Sequence, residues 1–102
     1  MTDFLKALKT TDLPINSMKQ VKLNSVVLAL YNIGGKIFAT SDICTHEKCH
    51  LSDGFLTGNI VECPCHGGRF DIETGEVKAL PPTIPLPTYK TRVNGEYIEI
   101  AV

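Results

Sequence analysis

The chain has 102 residues, of which 43% are hydrophobic and 21% are charged, a composition typical of one globular domain. Ten basic and eleven acidic residues give a net charge of −1, which disfavours a nucleic-acid-binding protein because such proteins usually carry a basic excess. No apolar run is long enough to cross a membrane, and the first residues do not resemble a signal peptide, so we expect no membrane association and a cytoplasmic location.

The first 40 residues predict short antiparallel strands. Residues 4–8 favour a strand, although their apolar positions also fit a short helix, and a second strand is indicated around residues 21–23. The apolar run at residues 26–31 is too short for a helix and is rich in β-forming residues. A turn at residues 32–35 then leads to a return strand at residues 36–40.

The end of the chain gives a clearer strand pattern. Apolar and polar residues alternate over residues 89–93 and again over residues 98–102. The dipeptide Asn94-Gly95 between them predicts a tight hairpin turn in which both residues adopt positive φ. The sequence therefore predicts an all-β fold in one domain that spans residues 1–102.

A different kind of segment lies between these two β regions, at about residues 42–87. It contains all four cysteines, all three histidines and five of the six prolines. Its strand pattern is weak except at residues 59–62 and 69–72. Because functional residues often lie on loops that a rigid scaffold positions, we expect this segment to be an inserted site.

Two short motifs in the segment each supply one thiol and one imidazole. Cys44 and His46 form the first motif, Cys63 and His66 form the second, and sixteen residues separate His46 from Cys63. Deprotonated cysteine and neutral histidine are metal ligands, and a set of two of each suits zinc or iron. The sequence therefore predicts a metal site built from these four residues.

The residues alone leave other metal sites open. A structural zinc site could use Cys44, Cys63, Cys65 and one histidine, or Cys49 in place of the histidine. An iron–sulfur cluster held by cysteines only is a third possibility. Colour separates the zinc site from a Rieske cluster, because a zinc protein is colourless and a Rieske protein is red-brown.

The order Cys-x-His followed by Cys-x-x-His resembles the signature of the Rieske iron–sulfur proteins. Further segments resemble the loops around the cluster in small Rieske ferredoxins: Ser52–Gly54, Gly67–Asp71, Thr74–Glu76 and Pro81–Thr83. The resemblance implies one Rieske-type [2Fe–2S] cluster, with Cys44 and Cys63 on one iron and His46 and His66 on the other. It also implies an antiparallel β sandwich or barrel with a small cluster-binding subdomain at one tip.

The resemblance also bears on the two remaining cysteines. Respiratory Rieske proteins carry a disulfide at the positions of Cys49 and Cys65, which implies the same bond here. Two reduced thiols are the alternative in a reducing cytosol. His50 matches no ligand position and is expected to be an ordinary loop histidine.

The implied role is that of the ferredoxin component of multicomponent aromatic-ring dioxygenases. Such a carrier passes single electrons from an NAD(P)H-dependent flavin reductase to a terminal ring-hydroxylating oxygenase, so the chain is expected to be a monomeric electron carrier rather than an enzyme. Partners are expected to dock at the tip, over His46, His66, Gly67 and Pro82. The alternative function is the small Rieske-like subunit of assimilatory nitrite reductase.

Two positions after the second motif bear on the reduction potential. High-potential Rieske proteins carry a serine and a tyrosine there, and their hydroxyl groups stabilise the reduced cluster. This chain has Gly68 and Phe70 instead, and neither side chain has a hydroxyl group. The resemblance therefore implies a potential near the low end of the Rieske range, at about −150 mV.

Overall fold

The computed structural model of the chain describes residues 3–45, 48–65 and 67–102. These residues form two short 3-10 turns (Thr10–Asp12 and Leu51–Asp53) and eleven strands: β1 (Phe4–Lys9), β2 (Ser17–Leu23), β3 (Val26–Ile33), β4 (Lys36–Ser41), β5 (Phe55–Thr57), β6 (Ile60–Glu62), β7 (Arg69–Asp71), β8 (Val77–Ala79), β9 (Thr88–Tyr89), β10 (Thr91–Asn94) and β11 (Tyr97–Ala101). In these described ranges no helix has the length and apolar character that a membrane crossing requires.

The strands form three antiparallel sheets, which confirms the all-β prediction. Two sheets make the scaffold, with the strand orders β1-β11-β10 and β2-β3-β4-β9. The third sheet has the order β5-β6-β7-β8 and lies within the segment predicted to carry the site. The strand predicted at residues 4–8 is β1, which pairs with β11.

The turn between β3 and β4, predicted at residues 32–35, is shorter than predicted. Asn32 and Ile33 belong to β3, and the turn consists of Gly34 and Gly35, whose φ angles are +59° and +97°. Glycine adopts such angles without steric cost, so two residues suffice to reverse the chain. Asn32 is buried and hydrogen-bonded at both ends of its amide: the NH2 group donates to the Leu13 carbonyl at 2.9 Å, and the side-chain oxygen accepts from the Gly35 N–H at 2.9 Å.

The strand predicted at residues 89–93 is divided between two sheets. Thr88 and Tyr89 pair with β4, whereas Thr91 begins the pairing with β11, so the chain changes sheets at Lys90. The hairpin that follows is present, but its turn lies one residue further on than predicted, at Gly95 and the residue after it. Within this turn only Gly95 has a positive φ, so the prediction of two positive-φ positions was wrong.

Strand β3 is buried on both faces, which explains its unbroken apolar sequence. Leu28 and Leu30 point into a core shared with Ile98 of β11. Ala29 and Tyr31 alternate with them and enter a second core on the other face. The scaffold sheet that contains β3 therefore has apolar contacts on both sides.

The second core connects the scaffold to the third sheet. Val61 and Phe70, on adjacent strands of that sheet, are fully buried in it together with Tyr31. The Tyr31 hydroxyl donates to the hydroxyl oxygen of Thr40 at 2.8 Å, while the Thr40 hydroxyl donates to the Ser41 carbonyl. Burial raises the pKa of Tyr31 well above its ordinary value, and the bond to Thr40 only partly opposes this shift. Tyr31 is therefore an uncharged structural residue beneath the site.

Candidate metal centre

The first candidate ligand loop follows β4. An isolated bridge pairs Ile43 with His50, and the Cys44 N–H donates to the Cys49 carbonyl, five residues later, at 3.0 Å. Cys44 is buried, with 3% of its surface exposed. His46 lies outside the described residues, so its role as a ligand stays a prediction.

The second candidate ligand loop follows β6 and is closed in the same way. The Cys63 N–H donates to the Gly68 carbonyl, again five residues later, at 2.7 Å. The Gly67 N–H donates back to the Cys63 carbonyl at 3.2 Å, and Gly67 has a φ of +73°, which favours glycine. Cys63 is 3% exposed. His66 lies outside the described residues, and its role as a ligand likewise stays a prediction.

A disulfide between Cys49 and Cys65 joins the two loops, with 6.4 Å between the Cα atoms. The structure thus contains the bond that the resemblance implied. The Sγ atoms of Cys49, Cys65 and Cys63 all lie within 4.8 Å of one another. Because metal ligation by cysteine needs a thiolate, the bonded sulfurs of Cys49 and Cys65 are unsuitable ligands. This argues against the zinc site and the all-cysteine cluster, since both require one or both of these residues.

The chain just after the first loop also lies against the end of β6, where the second loop begins. A Cβ atom at Gly54 would collide with the Glu62 carbonyl and would lie 3.1 Å from Pro64 Cδ. Only glycine therefore allows the chain after the first loop to approach the start of the second loop so closely. This contact fixes the distance between the loops independently of the disulfide.

The proline-rich segment at residues 80–87 packs against both loops. Pro82 is buried against Gly68, where a Cβ atom would lie 2.5 Å from Pro82 Cδ. The Thr45 hydroxyl donates to the Ile84 carbonyl at 2.8 Å. The segment therefore contacts both ligand loops.

The exposed residues of this segment differ from the one that the sequence predicted for docking, which was Pro82. Pro82 is buried, whereas the side chains of Leu80 and Ile84 are 74% and 61% exposed. Gly67 is partly exposed. An exposed leucine and isoleucine cannot be distinguished in the sequence from apolar residues that pack inside a proline-rich loop, so these two positions were missed.

Sequence analysis also missed Asp42, which precedes the first loop. Its side chain is completely buried and accepts hydrogen bonds from Ser52 and Gln20. Buried carboxylates are rare unless they are hydrogen-bonded, so the hydrogen bonds of Asp42 indicate that it holds Ser52 and Gln20 in place. An aspartate directly after a strand is common in sequences and gave no signal of its burial.

The described residues fit a metal centre held between the two loops. Cys44 and Cys63 begin loops that are closed by the same hydrogen-bond pattern, and both side chains are buried. The disulfide and the Gly54 contact hold these loops together, and the proline-rich segment contacts both. Two buried cysteines on paired loops match the thiolate half of a mixed cysteine and histidine ligand set.

Comparisons with known proteins agree with this geometry. Residues 3–90 match the family described as the Rieske [2Fe-2S] domain. The ferredoxin component of naphthalene 1,2-dioxygenase/salicylate 5-hydroxylase systems from Ralstonia sp is 42% identical over 84 residues, which cover 82% of this chain and 81% of that protein. The structure of the Sphingomonas yanoikuyae B1 ferredoxin superposes with a TM-score of 0.92 at 36% identity and covers 98% of this chain and 99% of its own.

A third similar chain belongs to a solved complex of reduced oxygenase and oxidized ferredoxin in carbazole 1,9a-dioxygenase. It has a TM-score of 0.90 and 34% identity, and the match covers 96% of this chain and 92% of the other. The family match spans most of the chain, and the similar proteins named above that match over most of their own length are ferredoxins. The chain therefore belongs to the Rieske [2Fe-2S] family, in which it is a ferredoxin that binds one Rieske-type cluster and carries electrons.

Proposed function

We propose that this protein is a soluble cytoplasmic carrier that takes single electrons from an NAD(P)H-dependent flavin reductase and delivers them to a terminal ring-hydroxylating oxygenase. The observation that carries the proposal is the pair of ligand loops, which are closed by matching hydrogen bonds and joined by a disulfide. The chain that bears them resembles dioxygenase ferredoxins over most of its length. The similar chain found in an oxygenase–ferredoxin complex supports an oxygenase as the acceptor.

The proposed ligands are Cys44 and Cys63 for one iron and His46 and His66 for the other. The cluster, when bound, supplies a centre that accepts and releases one electron. Burial of the two cysteines keeps water away from their sulfurs, while the disulfide between Cys49 and Cys65 limits movement of the loops on which they lie. A fixed environment keeps structural rearrangement small when the charge of the centre changes.

Partners are proposed to dock at the tip formed by the two loops and the proline-rich segment. The proposed contact region includes His46, His66, Gly67 and the loop at Pro82. Because Pro82 is buried, its loop would contact a partner through the exposed side chains of Leu80 and Ile84. Small, partly apolar contact areas suit a carrier that must dissociate after each transfer.

Alanine substitution of each proposed ligand tests the cluster assignment. Each single variant, such as His46→Ala, is expected to lose the rhombic EPR signal of a reduced Rieske cluster and the matching visible absorption. The double variant Cys49→Ser/Cys65→Ser is the matched control and is expected to keep both signals. A normal spectrum from any ligand variant would contradict its assignment.

Stopped-flow transfer tests the docking region and the electron path. Ferredoxin reduced by the flavin reductase is mixed with oxidised oxygenase, and reoxidation is followed by visible absorption. Leu80→Glu is expected to lower the second-order rate constant about tenfold or more, because a charge replaces an apolar contact. Val93→Glu is the matched control, since Val93 is an exposed apolar residue of β10 on the scaffold.

The two variants distinguish docking at the tip from docking on the scaffold. If Val93→Glu slowed transfer and Leu80→Glu did not, docking would involve the scaffold and the proposed tip would be wrong. If the wild-type protein were reduced by the reductase but never reoxidised by an oxygenase, the proposed acceptor would be wrong.

A further inference from the structure

A buried carboxylate lies at the base of the first ligand loop. Asp42 directly follows β4, and its side chain has no solvent exposure. One carboxylate oxygen, Oδ1, accepts from the Ser52 N–H at 2.7 Å. The other, Oδ2, accepts from the Ser52 hydroxyl at 2.9 Å and from the Gln20 side-chain amide at 2.7 Å.

The backbone of Asp42 adds two more connections. Its N–H donates to the Val27 carbonyl of β3 at 3.0 Å, and its carbonyl accepts from the Leu51 N–H at 2.7 Å. Residues 42 and 51–52 are the two ends of the loop that contains Cys44. One residue therefore joins both ends of this loop to each other and to strands β2 and β3 of the scaffold.

The Asp42 carboxylate faces two uncharged hydrogen-bond donors and one histidine ring nitrogen. Gln20 and Ser52 are uncharged, and in the part of the chain that the structure describes no lysine or arginine forms an ion pair with Asp42. His50 Nδ1 lies 3.0 Å from Oδ2 and also 2.8 Å from the Gln20 amide nitrogen. An ionised carboxylate, which only accepts hydrogen bonds, fits the donors of Ser52 and Gln20.

This charge lies close to a proposed ligand. Asp42 is two residues before Cys44, so their Cα atoms are at most about 7 Å apart. Both side chains are buried, where charges interact more strongly than they do through water. A fixed negative charge favours the oxidised form of a nearby centre, because reduction adds another negative charge.

We propose that Asp42 is a positioning residue for the Cys44 loop and that its charge lowers the reduction potential of the cluster. The inference rests on the proposed ligand role of Cys44. The two tasks are separable, because Gln20→Lys changes the charge beside the carboxylate, whereas Ser52→Ala removes a hydrogen bond and leaves the charge of Asp42 in place.

Four variants of the cluster-loaded protein separate these tasks, with the midpoint potential measured by spectroelectrochemistry. Asp42→Asn keeps the size of the side chain but removes its charge and one hydrogen-bond acceptor, while Gln20→Lys places a cation beside the carboxylate from β2 and leaves the loop sequence unchanged. Both are expected to raise the potential. Ser52→Ala keeps the charge and removes one hydrogen bond, so it is expected to leave the potential unchanged or to lower it. Asp53→Asn is the matched control, because Asp53 is an exposed carboxylate immediately after the end of the loop.

Hydrogen exchange measured by mass spectrometry reports the positioning task independently. Asp42→Asn and Ser52→Ala are expected to speed exchange at residues 43–52 and to leave residues 91–100 unchanged. If Asp42→Asn fails to assemble a cluster, Gln20→Lys still tests the effect of charge on the potential, and Ser52→Ala still tests positioning.

Two results would overturn the inference. Unchanged potentials in Asp42→Asn and Gln20→Lys would refute the role of the charge, as would a rise in Asp53→Asn as large as that in Asp42→Asn. Unchanged exchange at residues 43–52 in both loop variants would refute positioning. Neither result would affect the ligand assignment, which depends on whether Cys44→Ala loses the cluster.

Discussion

Removal of the disulfide between Cys49 and Cys65 should lower stability by an amount that follows from the size of the loop that the bond closes. The two residues are 16 positions apart in the sequence. Breaking a cross-link of this span returns conformational entropy to the unfolded chain, which costs about 3 kcal/mol of stability at 25 °C. For a domain of about 100 residues each kcal/mol shifts the Tm by about 4 °C, so Cys49→Ser/Cys65→Ser should lower the Tm by about 12 °C.

Thermal unfolding of the cluster-loaded proteins measures this shift. Far-UV circular dichroism follows the fold and visible absorption follows the cluster, at one scan rate for both proteins because loss of the cluster is irreversible. Wild-type protein treated with a thiol reductant is a second control and should approach the Tm of the variant. Thiol titration of denatured, unreduced wild-type protein should detect two thiols, which belong to Cys44 and Cys63.

The thiol count tests whether the disulfide forms, and the Tm tests the estimate of how much the disulfide stabilises the fold. A Tm difference below about 3 °C, with two thiols detected, would refute the estimate based on the entropy of the unfolded chain. Four thiols in the unreduced wild-type protein would instead show that the bond does not form.

Two other predictions concern Glu99 and Gly68. The hydrogen bond from Arg92 holds the pKa of the Glu99 carboxyl below its usual range, so this pair stabilises the fold above the ordinary glutamate pKa and loses its effect as the pH falls through the lowered pKa. Glu99→Gln should therefore have a lower Tm than wild type at pH 6, and the difference in Tm should shrink towards pH 3. A difference that stays constant with pH would contradict this, and Glu73→Gln, at an exposed residue, is the control. Gly68→Ala should destabilise the protein by about 1–3 kcal/mol, because the new methyl group would overlap the Pro82 ring. In denaturant unfolding, the double variant Gly68→Ala/Pro82→Ala should recover part of that stability, and no recovery would contradict the proposed overlap.

The scaffold was largely predictable because its strands combine apolar runs with glycine turns. The apolar run at residues 26–31 indicated β3 correctly, since a strand buried on both faces needs apolar residues at every position. The boundaries were less accurate. The strand predicted at residues 89–93 changes sheets at Lys90, and nothing in its alternation of polar and apolar residues marks the change.

The candidate site was predictable where residue type determines the chemistry. Cysteine and histidine at metal-ligand spacing identified the two loops, and the structure gives both loops the same hydrogen-bond closure. The supporting contacts were not predictable, because they join residues that are distant in the sequence. Gln20 reaches Asp42 across 22 positions, and Pro82 reaches Gly68 from a different segment.

The hydrogen bond from Thr45 to Ile84 constrains how this carrier can diverge towards new partners. Thr45 is next to Cys44, so the proline-rich segment is tied to the first ligand loop, and the Leu86 N–H ties the far end of the segment to the Gly75 carbonyl at 2.8 Å. An insertion or deletion within residues 82–86 would break one of these hydrogen bonds or the packing of Pro82 on Gly68, and would displace the loop. Changes in partner preference are therefore expected to arise by exchanging the exposed side chains of Leu80 and Ile84 at constant segment length. Engineering the carrier for a different oxygenase would begin with a library at those two positions.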